Sequence, residues 1–76
     1  MTALDVVYRY GLPPRQAQMR ALDALREVYG IRRISFNEKE GTVRVEFDAS
    51  RLAEETVAAL LRGAGLDVRE KLVLTK

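Results

Sequence analysis

The chain has 76 residues, a length that holds one domain with one modest core. Apolar residues make up 47% and charged residues 32%, a globular balance, and a formal charge of +2 is too slight to steer a polyanion strongly. Cys, His and Trp are all absent, which excludes disulfides, thiolate nucleophiles, thiolate or imidazole metal ligands and imidazole acid–base catalysis.

Residues 4–10 (LDVVYRY) alternate Leu4, Val6, Tyr8 and Tyr10 against Asp5, Val7 and Arg9, which predicts a strand. Gly11, Leu12, Pro13 and Pro14 break it, with Pro14 placed near the first helical position, where a missing N–H costs little. From residue 15 to 29 the period becomes helical. Ala17, Ala21, Ala24/Leu25 and Val28 form the expected inner stripe, and Gly30 ends the helix. On this phase Met19, Leu22 and Tyr29 fall off the stripe and suggest an association surface, aided by the apolar tail Leu72, Val73 and Leu74.

Ile34 and Phe36, then Val43, Val45 and Phe47, mark the inner faces of two strands joined by the polar turn 37–41. A second helix, residues 53–64, carries Val57, Leu60/Leu61 and Ala64 on its apolar side, and Gly65 closes it. Leu66 and Val68 begin the last strand, both facing inward. The order is βαββαβ, which predicts a single α+β domain over residues 1–76. Its expected architecture is a ferredoxin-like sandwich with a four-stranded antiparallel sheet and two helices on one face.

Four matches in register narrow this fold. Gly11-Leu12 stands before the first helix, Ala24-Leu25 with Val28 and Gly30-Ile31 at its end, Val45-Glu46-Phe47-Asp48 in the third strand, and Ala64-Gly65-Leu66-Asp67-Val68 after the second helix. Together, from Gly11 to Val68, they resemble the heavy-metal-associated, copper-chaperone-like domain family. That family binds soft metal through a GMxCxxC loop. Here the loop is Gly11, Leu12, Pro13, Pro14, Arg15, Gln16 and Ala17, so Pro14 and Ala17 stand where the resemblance places the two cysteines. The resemblance thus implies a fold kept and a soft-metal site lost, with no cofactor and no catalysis. In the family's register Val7 and Arg9 would face the core, whereas the alternation places Val6 and Tyr8 there, so a one-residue shift or bulge is expected in the first strand.

What remains is a protein-interaction or regulatory module whose partner surface centres on Leu12, Pro13, Pro14, Arg15, Arg62 and Leu66; self-association is a variant of the same reading. A nucleic-acid-binding module on the open sheet face is the alternative, using Arg33, Arg44, Arg69 and Lys71 with Arg9 or its neighbours. It lacks the aromatic platforms such surfaces use, because Tyr8 and Tyr10 are expected inside. A vestigial metal chaperone or metal-transport accessory domain is the third. The acid pairs Glu38/Glu40 and Glu54/Glu55 fall short of the ligand number a hard cation prefers and have no nucleophile beside them. No apolar run approaches the ~20 residues that cross a bilayer, and residues 1–5 carry no basic stretch, so a cytoplasmic location is expected.

Overall fold

The period of two over the first segment becomes strand β1 (Ala3–Tyr10), with Val6, Tyr8 and Tyr10 buried and Arg9 exposed between them. The computed structural model describes the backbone of residues 3–75 and the side chains of residues 3–72. After β1 come α1 (Gln16–Ala24), a short 3-10 turn (Leu25–Glu27), β2 (Ile31–Asn37), β3 (Thr42–Asp48), α2 (Glu54–Gly63) and β4 (Val68–Thr75). All neighbouring strands run antiparallel, in the order β2-β3-β1-β4. This is the α+β, ferredoxin-like arrangement expected from the sequence.

One face of the sheet is covered. Val6, Tyr8 and Tyr10 of β1, Ile34 of β2 and Val43, Val45 and Phe47 of β3 share a core with Leu22 of α1 and Val57, Ala58 and Leu61 of α2. Removing a side chain such as Phe47 or Leu61 from water contributes about 1.5–3 kcal/mol each. In a domain this small those few residues carry much of the stability. The other face stays open, because Asp5, Val7, Arg9, Arg44 and Glu46 alternate with the buried set.

The inner side of the first helical segment is only partly the one expected: Leu25 and Val28 of the expected stripe pack against the core, but its alanines at 17 and 24 do not. Leu22 is the single buried residue of α1, while Ala17 and Ala24 are exposed. The reason is energetic: one leucine hides more apolar area than two alanines, so the helix settles with Leu22 pointing inward. The helix is also shorter than residues 15–29, because the chain tightens to 3-10 geometry at Leu25 and leaves the helical region at Val28 (φ −68°, ψ 130°). Leu22 therefore cannot belong to an association surface. Tyr29 is exposed, with the Arg51 guanidinium 4.6 Å above its ring.

The irregularity expected beside β1 exists, but the extra residues lie on its neighbour. Against β1, strand β4 inserts one residue between the partners of Arg9 and Tyr10 and another between those of Val7 and Tyr8, at Arg69 and Leu72. The tail thus continues as sheet, with Leu74 paired to Val6. The side chains of Val73 and Leu74 lie outside the described residues. Strand β2 carries a similar insertion at Arg32. Both outer strands are bulged and charged, which protects their free edges from pairing with other strands.

Candidate functional site

The loop between β1 and α1 is held by one carboxylate. Asp67 Oδ2 accepts hydrogen bonds from the Leu12 N–H at 3.2 Å and from Arg69 Nε at 3.0 Å, while the Gly11 N–H donates to the Asp67 carbonyl at 2.9 Å. A Cβ at position 11 would stand 2.4 Å from both Asp67 Oδ2 and Arg69 Nε, so glycine there lets these two side chains close over the loop. At the helix start Gln18 Oε1 accepts from the Arg15 N–H at 2.8 Å, one arm of a capping box. Arg15 is the N-cap, so Pro14 lies one residue before it, not at the first helical position.

This anchoring leaves the Leu12 side chain 68% exposed. On the same loop opens a groove of about 430 Å³ towards the β2–β3 hairpin, lined by Pro13, Pro14, Met19, Phe36, Tyr10 and Glu38 together with Gly11 and Gly41. The hairpin is fixed by Asn37 Oδ1, which accepts from the Glu40 N–H at 3.2 Å, and by Gly41 at φ +68°. The Gly41 carbonyl also accepts from the Tyr10 N–H at 2.9 Å, tying the turn to the end of β1. Tyr10 and Phe36 meet edge to face, 6.1 Å between centroids. Burial raises the Tyr10 phenol above its ordinary pKa, and the nearby Glu38 charge adds to the shift.

Of the partner residues expected from sequence, the structure brings Pro13 and Pro14 into this groove; Leu12, between Gly11 and Pro13 on the same loop, is not among its lining residues, and Arg15 is exposed at the helix start. It does not bring Leu66 there. Leu66 is 3% exposed and belongs to the core, because the turn at Gly65 (φ +100°) tucks it under α2. Arg62 faces a separate shallow groove beside β4, with Tyr8, Glu54, Glu55 and Lys71.

That second groove contains a polar link the sequence reading missed. The Tyr8 hydroxyl donates to Glu54 Oε2 at 2.9 Å, and Lys71 Nζ lies 2.8 Å from Glu54 Oε1. The Lys71 hydrogen bond, helped by that from Tyr8, holds the Glu54 carboxyl below its ordinary pKa against the opposing effect of burial. Burial first, then the bond to Glu54, pushes the Tyr8 phenol well above its ordinary value of 10.0. A hydroxyl on an otherwise apolar strand face was the available signal, since a buried tyrosine needs a partner for its O–H.

Lys71 therefore sits on the helix side of the sheet and not on the open face, and Arg69 lies at a bulge bonded to Asp67. Arg33 and Arg44 do lie on the open face. There Arg44 approaches Asp5 at 3.9 Å, and Arg9 pairs with Glu70 at 3.2 Å. Tyr8, Tyr10, Phe36 and Phe47 all lie on the covered face and Tyr29 lies between elements, so no ring is available on the open face for stacking a base.

No family model, curated protein or solved structure matches the chain. Within the loop, the side chains of Pro14 and Ala17 offer no lone pair to a metal. Among the described residues no three His, Cys, Asp or Glu side chains converge. Among the described residues, too, no helix is long and apolar enough to cross a membrane.

Proposed function

We propose that the chain is a non-catalytic binding module of heavy-metal-associated type that has lost soft-metal binding and docks a protein partner at its loop end. The observation that carries this reading is Leu12, 68% exposed on a loop whose backbone is bonded to Asp67. An apolar side chain held out on an ordered loop is ready for burial, and little conformational entropy is lost when a partner covers it. Pro13 and Pro14 stiffen the same segment. The pocket chemistry also favours binding over reaction, since the Tyr8 hydroxyl and the Lys71 ammonium beside Glu54 are held protonated in bonds to its carboxylate and are not activated as nucleophiles.

The open face has less to recommend it. Its arginines are partly matched by Asp5 and Glu70, and it carries no aromatic side chain. A cytoplasmic location fits a cysteine-free chain of this composition.

The test is capture from a nuclease-treated lysate of the chain's own cells, with wild type beside a Leu12→Asp, Pro14→Ala variant. A discrete protein retained by wild type and lost by the variant supports the reading. Capture that vanishes on nuclease treatment, or is unchanged in the variant, contradicts it.

A further inference from the structure

We infer that the groove between the β1–α1 loop and the β2–β3 hairpin takes an apolar peptide segment of a partner protein that sets a Lys or Arg against Glu38. This rests on the protein-docking reading and names the chemistry of the partner.

The walls decide the apolar part. Pro13, Pro14, Met19 and Phe36 line a space of about 430 Å³, enough for a few side chains but not for a folded element. Leu12, the residue between the lining Gly11 and Pro13, adds apolar surface on the same loop at 68% exposure. A small organic molecule filling the groove would leave Leu12 in water, whereas an extended chain crossing the rim covers both.

The polar groups decide the rest. Glu38 is the one charged side chain among the residues lining the groove. Among the described residues the Tyr10 hydroxyl has no hydrogen-bond partner, yet no buried polar side-chain atom is left unsatisfied, so solvent reaches that hydroxyl. A ligand covering the groove takes water from both groups. A wholly apolar occupant would strand the carboxylate, and an acidic one would repel it. A cation on an apolar segment restores the bond that water supplied, and its backbone can meet the Tyr10 hydroxyl. The rigid prolines and the Asn37-braced hairpin keep the groove formed before binding.

The experiment is selection of short random peptides, displayed on phage, against wild type and against Glu38→Lys. Wild type is expected to enrich peptides with a Lys or Arg beside apolar residues, and Glu38→Lys to exchange that cation for Asp or Glu. Resynthesised with an acetylated N-terminus, the wild-type peptides should bind Glu38→Lys roughly fivefold or more weakly, the scale of one partly shielded ion pair. Met19→Lys should weaken them as well. Both positions are exposed, and circular dichroism checks that each variant folds. No enriched motif, a motif without a cation, or affinity unchanged by both variants overturns the inference. Binding that disappears on acetylation overturns it in favour of a site for small amines. If Glu38 dependence fails while Leu12-dependent capture persists, only the groove assignment falls; if both fail, the docking reading falls with it.

Discussion

The Tyr8 hydroxyl donates to Glu54 Oε2 at 2.9 Å, joining the middle of β1 to the first turn of α2 across a sequence separation of 46 residues. Lys71 on β4 grips the other oxygen of the same carboxylate at 2.8 Å. One side chain of α2 is thereby fixed to two adjacent strands. Tyr8→Phe keeps the ring in the core and removes this bond, so it should destabilise the fold by about 1–2 kcal/mol in urea titration. Lys71→Met should cost less, about 0.5 kcal/mol, because the ammonium is half exposed and screened by water.

The same link fixes the sign of two pH effects. Glu54 has a lowered pKa in the folded chain, so its stabilisation is present above the unfolded value of roughly 4.3 and is lost as pH falls through the folded value. Tyr8 has a raised pKa, so its contribution is intact below its ordinary 10.0 and is lost as the unfolded chain ionises above that. The stability gap between wild type and Glu54→Gln should therefore narrow in acid, and that between wild type and Tyr8→Phe in alkali. Denaturant midpoints across pH measure both. A gap constant with pH would contradict the arrangement.

The face of α1 is tested by truncation. Leu22→Ala should cost about 2–5 kcal/mol, enough to unfold much of a domain this small, whereas Met19→Ala should change stability by under about 1 kcal/mol. Equal effects would mean the helix is turned the other way.

Two glycines should respond in opposite directions. A Cβ at Gly63 meets nothing within 4 Å and the backbone there is helical, so Gly63→Ala should stabilise by about 0.5–1 kcal/mol. Gly30 stands at φ +104° with Leu52 Cγ 2.8 Å from the place of a Cβ, so Gly30→Ala should destabilise. Thermal melts suffice for both.

How much of this was legible in the sequence depends on what each residue contributes to burial. Strand faces were readable where apolar and polar residues alternate strictly, as at Val43, Val45 and Phe47 against Arg44 and Glu46. Lys71 was assigned to the wrong face because simple alternation counted outward from Val68 fails once β4 inserts Arg69. The inner stripe of the first helical segment is legible at Leu25 and Val28 but not at Leu22, because the alanines before them provide little contrast to fix its phase. Leu66 reads inward by its place in the last strand, and the Gly65 turn does carry it into the core, so only its place on the partner surface falls. The groove itself was not legible, since Met19, Phe36 and Glu38 meet Pro13 and Pro14 only after the hairpin folds beside the loop.

The resemblance to heavy-metal-associated domains makes a constructive prediction. Pro14→Cys with Ala17→Cys puts two thiols at the start of α1, where the helix dipole favours thiolates. The folded double variant should bind Cu(I) in competition with a tight chelator, and wild type should not. Absence of binding in the folded variant would remove the placement of the loop.

The most direct measurement is the lysate capture, run with a third sample in which Arg33→Ala and Arg44→Ala strip the open face. The loop-end account predicts one partner protein, resistant to nuclease, lost with Leu12→Asp, Pro14→Ala and retained with Arg33→Ala, Arg44→Ala. Retention by the loop variant with loss in the arginine variant, or a capture that nuclease abolishes, would contradict it and move the function to the open sheet.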